Sequence, residues 1–315
     1  MKERYPMTQP YGWYHIAFSN ELQPGDVFPR KFFGKDLVLY RTDGGHAKLL
    51  DAFCPHLGAH IGYGGRIDGE TIICPFHSWH FDGDGVCIEV PYATKTPELV
   101  GKRCLKSWPV VEANRSIYAW FHPRNTSPLF DVILLPEFTD ENEDWTDFVT
   151  RQWLVKCHIQ ESHENIIDVT HFKCVHLLEP SFDISYNGHQ SRVVMESAAD
   201  GLSSVSTVTT EYNGPGQTWA RYSGFPRFIV LNPVTPIDDE TVVFNIAVSF
   251  NRGMKGLEMI QEQVLAEMSK QVERDIPIFQ NKIYRPHPPF TDADGPIVEF
   301  RQWYRQFYVD EVAVS

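Results

Sequence analysis

No stretch of this chain approaches the roughly 18 to 20 consecutive apolar residues that a bilayer-spanning helix needs. The opening MKERYPMTQP also lacks the apolar core of a signal peptide. A cytoplasmic protein with no membrane span is therefore expected. Basic residues are scarce as well: 28 Lys and Arg against 41 Asp and Glu leave a net charge of −13. Phosphate-backbone binding depends on clustered cations, so nucleic acid is not an expected partner. Six cysteines in 315 residues do not read as a disulfide framework; in a reducing compartment they are metal ligands or core thiols. No GxGxxG-type nucleotide fingerprint, internal repeat or low-complexity segment is present.

What is present is long enough for two packed domains, since single cores rarely grow past roughly 250 residues. From Tyr11 to Phe121 short β-like runs such as "KDLVLYRT", "AKLLDAF" and "RSIYAWF" are broken by Gly, Asp and Pro, which predicts a small all-β domain. Pro123, Pro128, Pro136 and the acidic "DENEDW" then suit a surface connection, and the boundary is placed near residue 123, giving domains 1–123 and 124–315. The second half combines a strand over 149–159 and a helix over 162–175 with strands through "SRVVMES", "LSSVSTVTTEY", "QTWARYS", "FPRFIVLNPV" and "ETVVFNIAVSF". A long helix follows, with Leu257, Ile260, Val264, Met268, Val272 and Phe279 near helical spacing. The fold class is α+β: an all-β domain, then an antiparallel sheet gripped by helices.

The first constellation is Cys54-Pro55-His56, seventeen residues, then Cys74-Pro75-Phe76-His77. Two ligand pairs on two loops can converge on one centre, and mixed thiolate and imidazole suits either structural zinc or an iron–sulfur cluster. With Pro after each Cys, "HLGAH" after the first pair and "SWHFDGDG" after the second, the pattern resembles the Rieske [2Fe–2S] motif. The resemblance implies that Cys54 and Cys74 hold one iron and His56 and His77 the other, which raises the potential into the range of roughly −150 to +300 mV. Respiratory-complex Rieske proteins carry an extra cysteine in each loop. Here Ala59 and Phe76 stand in those places, which favours the cytosolic type found in oxygenases. His60 and His80 read as hydrogen-bonding or exposed loop histidines, and Cys87, Cys104, Cys157 and Cys174 as core residues.

The second constellation, "ENIIDVTHFKCVH" at 164–176, resembles the mononuclear-iron motif of Rieske oxygenases. Iron(II) chemistry with O₂ favours two histidines and one carboxylate on one face of the metal. On an ideal helix His171 lies about 60° to one side of Asp168 and His176 about 80° to the other, so loosening is expected after Phe172. The third ligand must be an acid from elsewhere. Asp275 falls on the face that the long helix should bury, where a carboxylate needs a partner, and Pro277 beside it disturbs the helix. Asp292 and Asp294 in "TDADGP" are alternatives whose setting reads as a turn.

In the resembled family Asp168 is no iron ligand but connects a Rieske histidine of one subunit to an iron-ligating histidine of the next, which implies a ring, usually a homotrimer. The chain from Asp275 onward, with "DIPIF", "DGP" and "RQWYRQFY", is similar to the oxygenase component of 3-ketosteroid 9α-hydroxylases and their sterol-acting relatives. That similarity implies a monooxygenase consuming O₂ and acting on a steroid-like or other polycyclic apolar substrate. Electrons would come from NAD(P)H through a separate ferredoxin or flavin reductase. Phe172, Leu177, Leu178, Phe182, Tyr222, Phe225, Phe228 and Phe279 supply apolar surface, each serving either core packing or a pocket. Desaturation, oxidative demethylation and a non-catalytic hydrophobic-ligand carrier remain as alternative readings.

Overall fold

The computed structural model describes residues 4–139, 144–196, 207–224, 227–253 and 256–309. Phe225 lies outside them. The chain divides into two compact units, one of residues 15–121 and 127–130, the other of residues 1–14, 122–126 and 131–315.

The smaller unit is built from short antiparallel strands. Val27–Phe32, Lys35–Arg41, Ala47–Asp51 and Ser107–Trp108 form one four-stranded sheet, and Arg66–Asp68, Thr71–Ile73, His80–Phe81 and Cys87–Glu89 form another. Leu37, Val38, Leu39 and Tyr40 are all fully buried, so both faces of that strand are covered and its continuous apolar run replaces the usual alternation. The second sheet carries two loops, one entered at Cys54 and one at Cys74, and both cysteines belong to the unit's apolar core.

The larger unit holds an eight-stranded antiparallel sheet. Its strands run side by side as Val149–Val155, Thr241–Phe250, Phe228–Leu231, Gln217–Ser223, Thr207–Asn213, Gln190–Glu196 and Ser181–Asn187, with Val234–Asp238 also paired to Thr241–Phe250. Val242, Phe244, Ile246, Val248 and Phe250 alternate toward one face, and the helices pack there. These are α1 (Ile159–Ile167), α2 (Val169–Val175), α3 (Leu257–Asn281) and α4 (Ile297–Tyr304). The apolar stripe Leu257, Ile260, Val264, Met268 and Val272 packs α3 against the sheet residues Val230, Ile246, Val248 and Phe250, as its helical spacing predicts.

Five expectations need correction. The helix over 162–175 is two helices with a break at Asp168, because that carboxylate accepts the His171 N–H at 3.1 Å and caps a new helix rather than continuing the old one. The strand over 149–159 ends at Val155, and Ile159 already opens α1; α3 runs through Pro277 to Asn281. Cys174 is exposed, since α2 has no fully buried residue. The edge strand Ser181–Asn187 was not expected, although Phe182, Ile184 and Tyr186 alternate and Asn187-Gly188 is a hairpin turn signal.

Candidate metal centres

The two loops of the smaller unit share one backbone geometry. Cys54 N–H donates to the Ala59 carbonyl and Gly58 N–H to the Cys54 carbonyl; Cys74 N–H donates to Trp79 and Ser78 N–H to Cys74 in the same pattern. Both loops turn through a positive φ, +74° at Gly58 and +56° at Ser78. A serine in that region carries a steric cost that glycine avoids, and such strain gathers at functional sites.

The result is convergence. The His56 and His77 rings lie 4.6 Å apart, edge to face. Burial pushes the Cys54 thiol up to about 12, with the neighbouring Cys74 sulfur adding to the shift, so two thiolates here need a cation to compensate them. His56 Nδ1 is buried without a hydrogen-bond partner. Donor types, burial and the orphaned nitrogen all fit a mixed thiolate–imidazole iron–sulfur cluster. Trp79 stacks on His56 at 4.8 Å and 8° and donates its indole N–H to the Tyr92 hydroxyl at 2.9 Å. One face of the imidazole is thereby covered and its plane held. His60 Nδ1 accepts from the Gly62 N–H at 3.1 Å, a loop role, and His80 opens a short strand.

In the larger unit, ligand atoms of His171, His176 and Asp275 all lie within 4.8 Å of one another. The break at Asp168 reorients α2 so that His171 lies in its first turn and His176 caps its C-terminus, while Asp275 approaches from α3. His171 Nδ1–H donates to the Asp168 backbone carbonyl at 2.7 Å, which fixes the tautomer and leaves Nε2 with a lone pair toward the site. Burial lowers the His171 pKa, keeping the ring neutral. Asp275 Oδ1 comes to 3.1 Å from His176 Nε2, yet it is buried and not in hydrogen-bonding alignment with any donor. Two imidazoles and a carboxylate, buried and partly unsatisfied, fit a divalent iron with open positions. Asp292 is exposed and Asp294 is half-buried, and Asp294 closes its own turn by accepting the Thr291 N–H at 2.6 Å.

A family described as the 3-Ketosteroid 9alpha-hydroxylase C-terminal domain matches residues 119–308, and the Rieske [2Fe-2S] domain family matches residues 12–109. The probable 3-ketosteroid-9-alpha-monooxygenase, oxygenase component, of Rhodococcus rhodochrous is 30% identical over 328 residues, covering 97% of this chain and 81% of that protein. This chain belongs to the 3-ketosteroid 9α-hydroxylase family of Rieske oxygenases. Cholesterol 7-desaturase nvd 1 of Ciona intestinalis is 29% identical, with 97% and 70% covered. Among solved structures, dicamba monooxygenase bound to dicamba shares the fold at a TM-score of 0.73 and 19% identity, covering 94% of this chain and 96% of that one. NdmA of Pseudomonas putida CBB5 with caffeine does so at 0.76 and 17%, covering 93% and 89%. As a member of its family, this Rieske oxygenase is the terminal component of a multicomponent system.

Supporting residues of this oxygenase escaped the sequence reading. Asn165 Nδ2 lies 3.1 Å from His171 Nε2 and donates to Asp275 Oδ2 at 3.0 Å, linking α1 to both other helices of the site. Glu164 receives Arg301 Nε and Nη2, each at 2.7 Å, and Glu161 pairs with Lys282, tying α1 to α4 and to the end of α3. Glu164 and Asn165 lie within the quoted motif, but only tertiary contacts give them roles.

The α1–α2 break is also held from outside. Thr170 Oγ1–H donates to the Ala293 carbonyl at 2.5 Å, and Gly295, at φ +74°, approaches so closely that a Cβ would meet Val169 Cγ2 at 3.0 Å and the Ile167 carbonyl at 3.1 Å. Gly295→Ala is therefore expected to cost about 1–2 kcal/mol through strain and crowding. By shifting α2 it should also weaken mononuclear iron retention by roughly tenfold. Equilibrium unfolding and iron titration of the apo site check both.

Proposed function

We propose that this oxygenase hydroxylates a steroid-like or other polycyclic apolar substrate. In this reading Cys54, Cys74, His56 and His77 hold the [2Fe–2S] cluster in residues 1–123, and His171, His176 and Asp275 hold a mononuclear Fe²⁺ in residues 124–315. The observation that carries it is the convergence of His171, His176 and Asp275 from two helices in a chain that also holds the Cys54/His56/Cys74/His77 loops. A bare carrier of hydrophobic ligands would need no second metal. Bound iron would supply O₂ activation; the balance is one O₂, two electrons and two protons, giving hydroxylated product and water. The electrons are proposed to come from NAD(P)H through a separate ferredoxin or flavin reductase, in the cytosol, where the six free cysteines stay reduced.

Apolar recognition is supported by one row across the sheet. Phe182, Met195, Val208, Tyr222 and Phe228 are successive cross-strand partners, and Phe182 packs against Phe172 of α2 at 5.5 Å. The row therefore begins beside the histidine ligands. Leu177, by contrast, is 78% exposed, and Phe279 is buried core.

A second reading is desaturation, favoured by the cholesterol 7-desaturase relatives. Incubating the reduced enzyme with sterols, 3-ketosteroids and polycyclic aromatics under O₂ separates the two by product mass: one added oxygen for hydroxylation, two lost hydrogens for desaturation. No product from any member of the panel, with both metals present, would reject the proposed substrate class.

The cluster assignment has its own test. His77→Cys places a third anionic sulfur on the centre, so the midpoint potential should fall toward the roughly −400 mV typical of all-cysteine clusters. An unchanged potential and visible spectrum would remove His77 from the ligand set.

A further inference from the structure

Four residues along the same strands, about 13 Å away at the usual rise per residue, runs a second row, and it is polar. Tyr186 pairs with Ser191, Ser191 with Tyr212, and Tyr212 with Thr218. The row faces the helices: the Tyr212 ring meets His163 of α1 edge-on at 5.3 Å, and Tyr186 stacks on Trp303 of α4 at 5.4 Å. Tyr186 OH, Ser191 Oγ, Tyr212 OH, Thr218 Oγ1 and His163 Nε2 are all buried, and none has a hydrogen-bond partner. The other ring nitrogen of His163 is taken by the Tyr304 hydroxyl at 3.2 Å.

Each unpartnered buried polar atom costs on the order of tenfold in the folding equilibrium. Five together would cost about five powers of ten, a large share of a typical domain's stability. A dry site is therefore the wrong description. The side chains also alternate large and small across the row, with Ser191 between Tyr186 and Tyr212 and Thr218 beside Tyr212. Burial pushes Tyr186 up to about 12 and His163 down to about 3, so near neutral pH the row carries no charge and attracts no ion.

We infer that Ser191, Tyr212, Thr218, Tyr186 and His163 form a closed binding site for a small cluster of water molecules that bridges α1 to the sheet. Two or three waters suffice, because a buried water makes about three hydrogen bonds. Water fits better than a substrate oxygen because the intervening row, Ile184, Val193, Thr210, Ala220 and Val230, of which all but the edge residue Ile184 are buried, separates this site from the apolar one. The cluster gives α1 a second anchor. Its His163 face is held to the sheet while its Asn165 face meets Asp275.

Crystallography of the intact protein and two conservative variants test this. Density for water within hydrogen-bonding distance of Tyr212 OH and Thr218 Oγ1 is expected. Thr218→Val keeps the shape and removes one hydroxyl; with waters present it strands their hydrogen bonds, and the thermal midpoint should fall by a few degrees. Tyr212→Phe should act in the same direction, so an accident of packing at one position does not decide the outcome. If the site were dry, each variant would delete an unsatisfied group and the midpoints would rise. A rise in both variants overturns the inference, as does a site without density, hydroxyls paired directly with one another, or an organic molecule in place of water.

Discussion

Asp275→Ala should reduce the iron content from three atoms per chain to two while the visible spectrum of the [2Fe–2S] centre persists. The variant removes the carboxylate that, among the described residues, meets both His176 Nε2 and Asn165 Nδ2. Two neutral imidazoles alone hold Fe²⁺ poorly, so substrate oxidation should fall by at least about a hundredfold, more than is typical for loss of a supporting group behind a ligand. The cluster should survive because its four candidate ligands belong to the other compact unit. Asp292→Ala and Asp294→Ala provide the contrast: Asp292 is exposed, Asp294 is half-buried and engaged in its own turn with Thr291, and neither change should alter iron content. Loss of iron in either of them with retention in Asp275→Ala would sink the assignment. Removing Asp275 also relieves an unsatisfied buried carboxylate oxygen, so the metal-free variant should be no less stable than the metal-free parent.

Asp168→Asn should leave both metals in place and slow the electron transfer between them by orders of magnitude. The residue has two local tasks in this chain: its carboxylate caps α2 by accepting the His171 N–H, and its backbone carbonyl accepts His171 Nδ1–H. Asparagine performs both, since it is as good an N-cap as aspartate and the carbonyl is unchanged. What it loses is the negative charge. If Asp168 also receives an imidazole of a neighbouring subunit's cluster, as the ring implied by the family resemblance requires, the cluster will be reduced normally by its reductase. Its reoxidation by substrate and O₂ in a single turnover will nonetheless fall steeply. Mixing Asp168→Asn chains with His77→Cys chains adds the decisive comparison. Some interfaces of a mixed ring then join an intact cluster to an intact Asp168 and iron site, and partial activity should return. Mixed assemblies no more active than their parents, despite demonstrated subunit exchange, would confine Asp168 to capping.

What could be read without coordinates was what local spacing encodes. The loops at Cys54 and Cys74 are short enough that Cys, Pro and His in fixed order already imply two similar turns, and the family resemblance rests on those residues. Most strands of the large sheet, though not Ser181–Asn187, and the stripe of α3 were legible because periods of two and 3.6 follow from backbone geometry alone. Tertiary structure decided the rest. Whether α1 continues through Asp168 depends on a competition between a helical hydrogen bond and a side-chain cap, and the loop at Thr291–Gly295 tips it from more than a hundred residues away. Which of Asp275, Asp292 and Asp294 faces the histidines depends on how α3 lies on the sheet. Asn165, Glu161 and Glu164 acquire partners only when four helices meet, and the row from Tyr186 to Thr218 exists only once four strands are in register. Spacing along a chain specifies which residues share a turn or a face. Which faces meet is settled by burial of the whole apolar surface, a property that no local stretch of sequence contains.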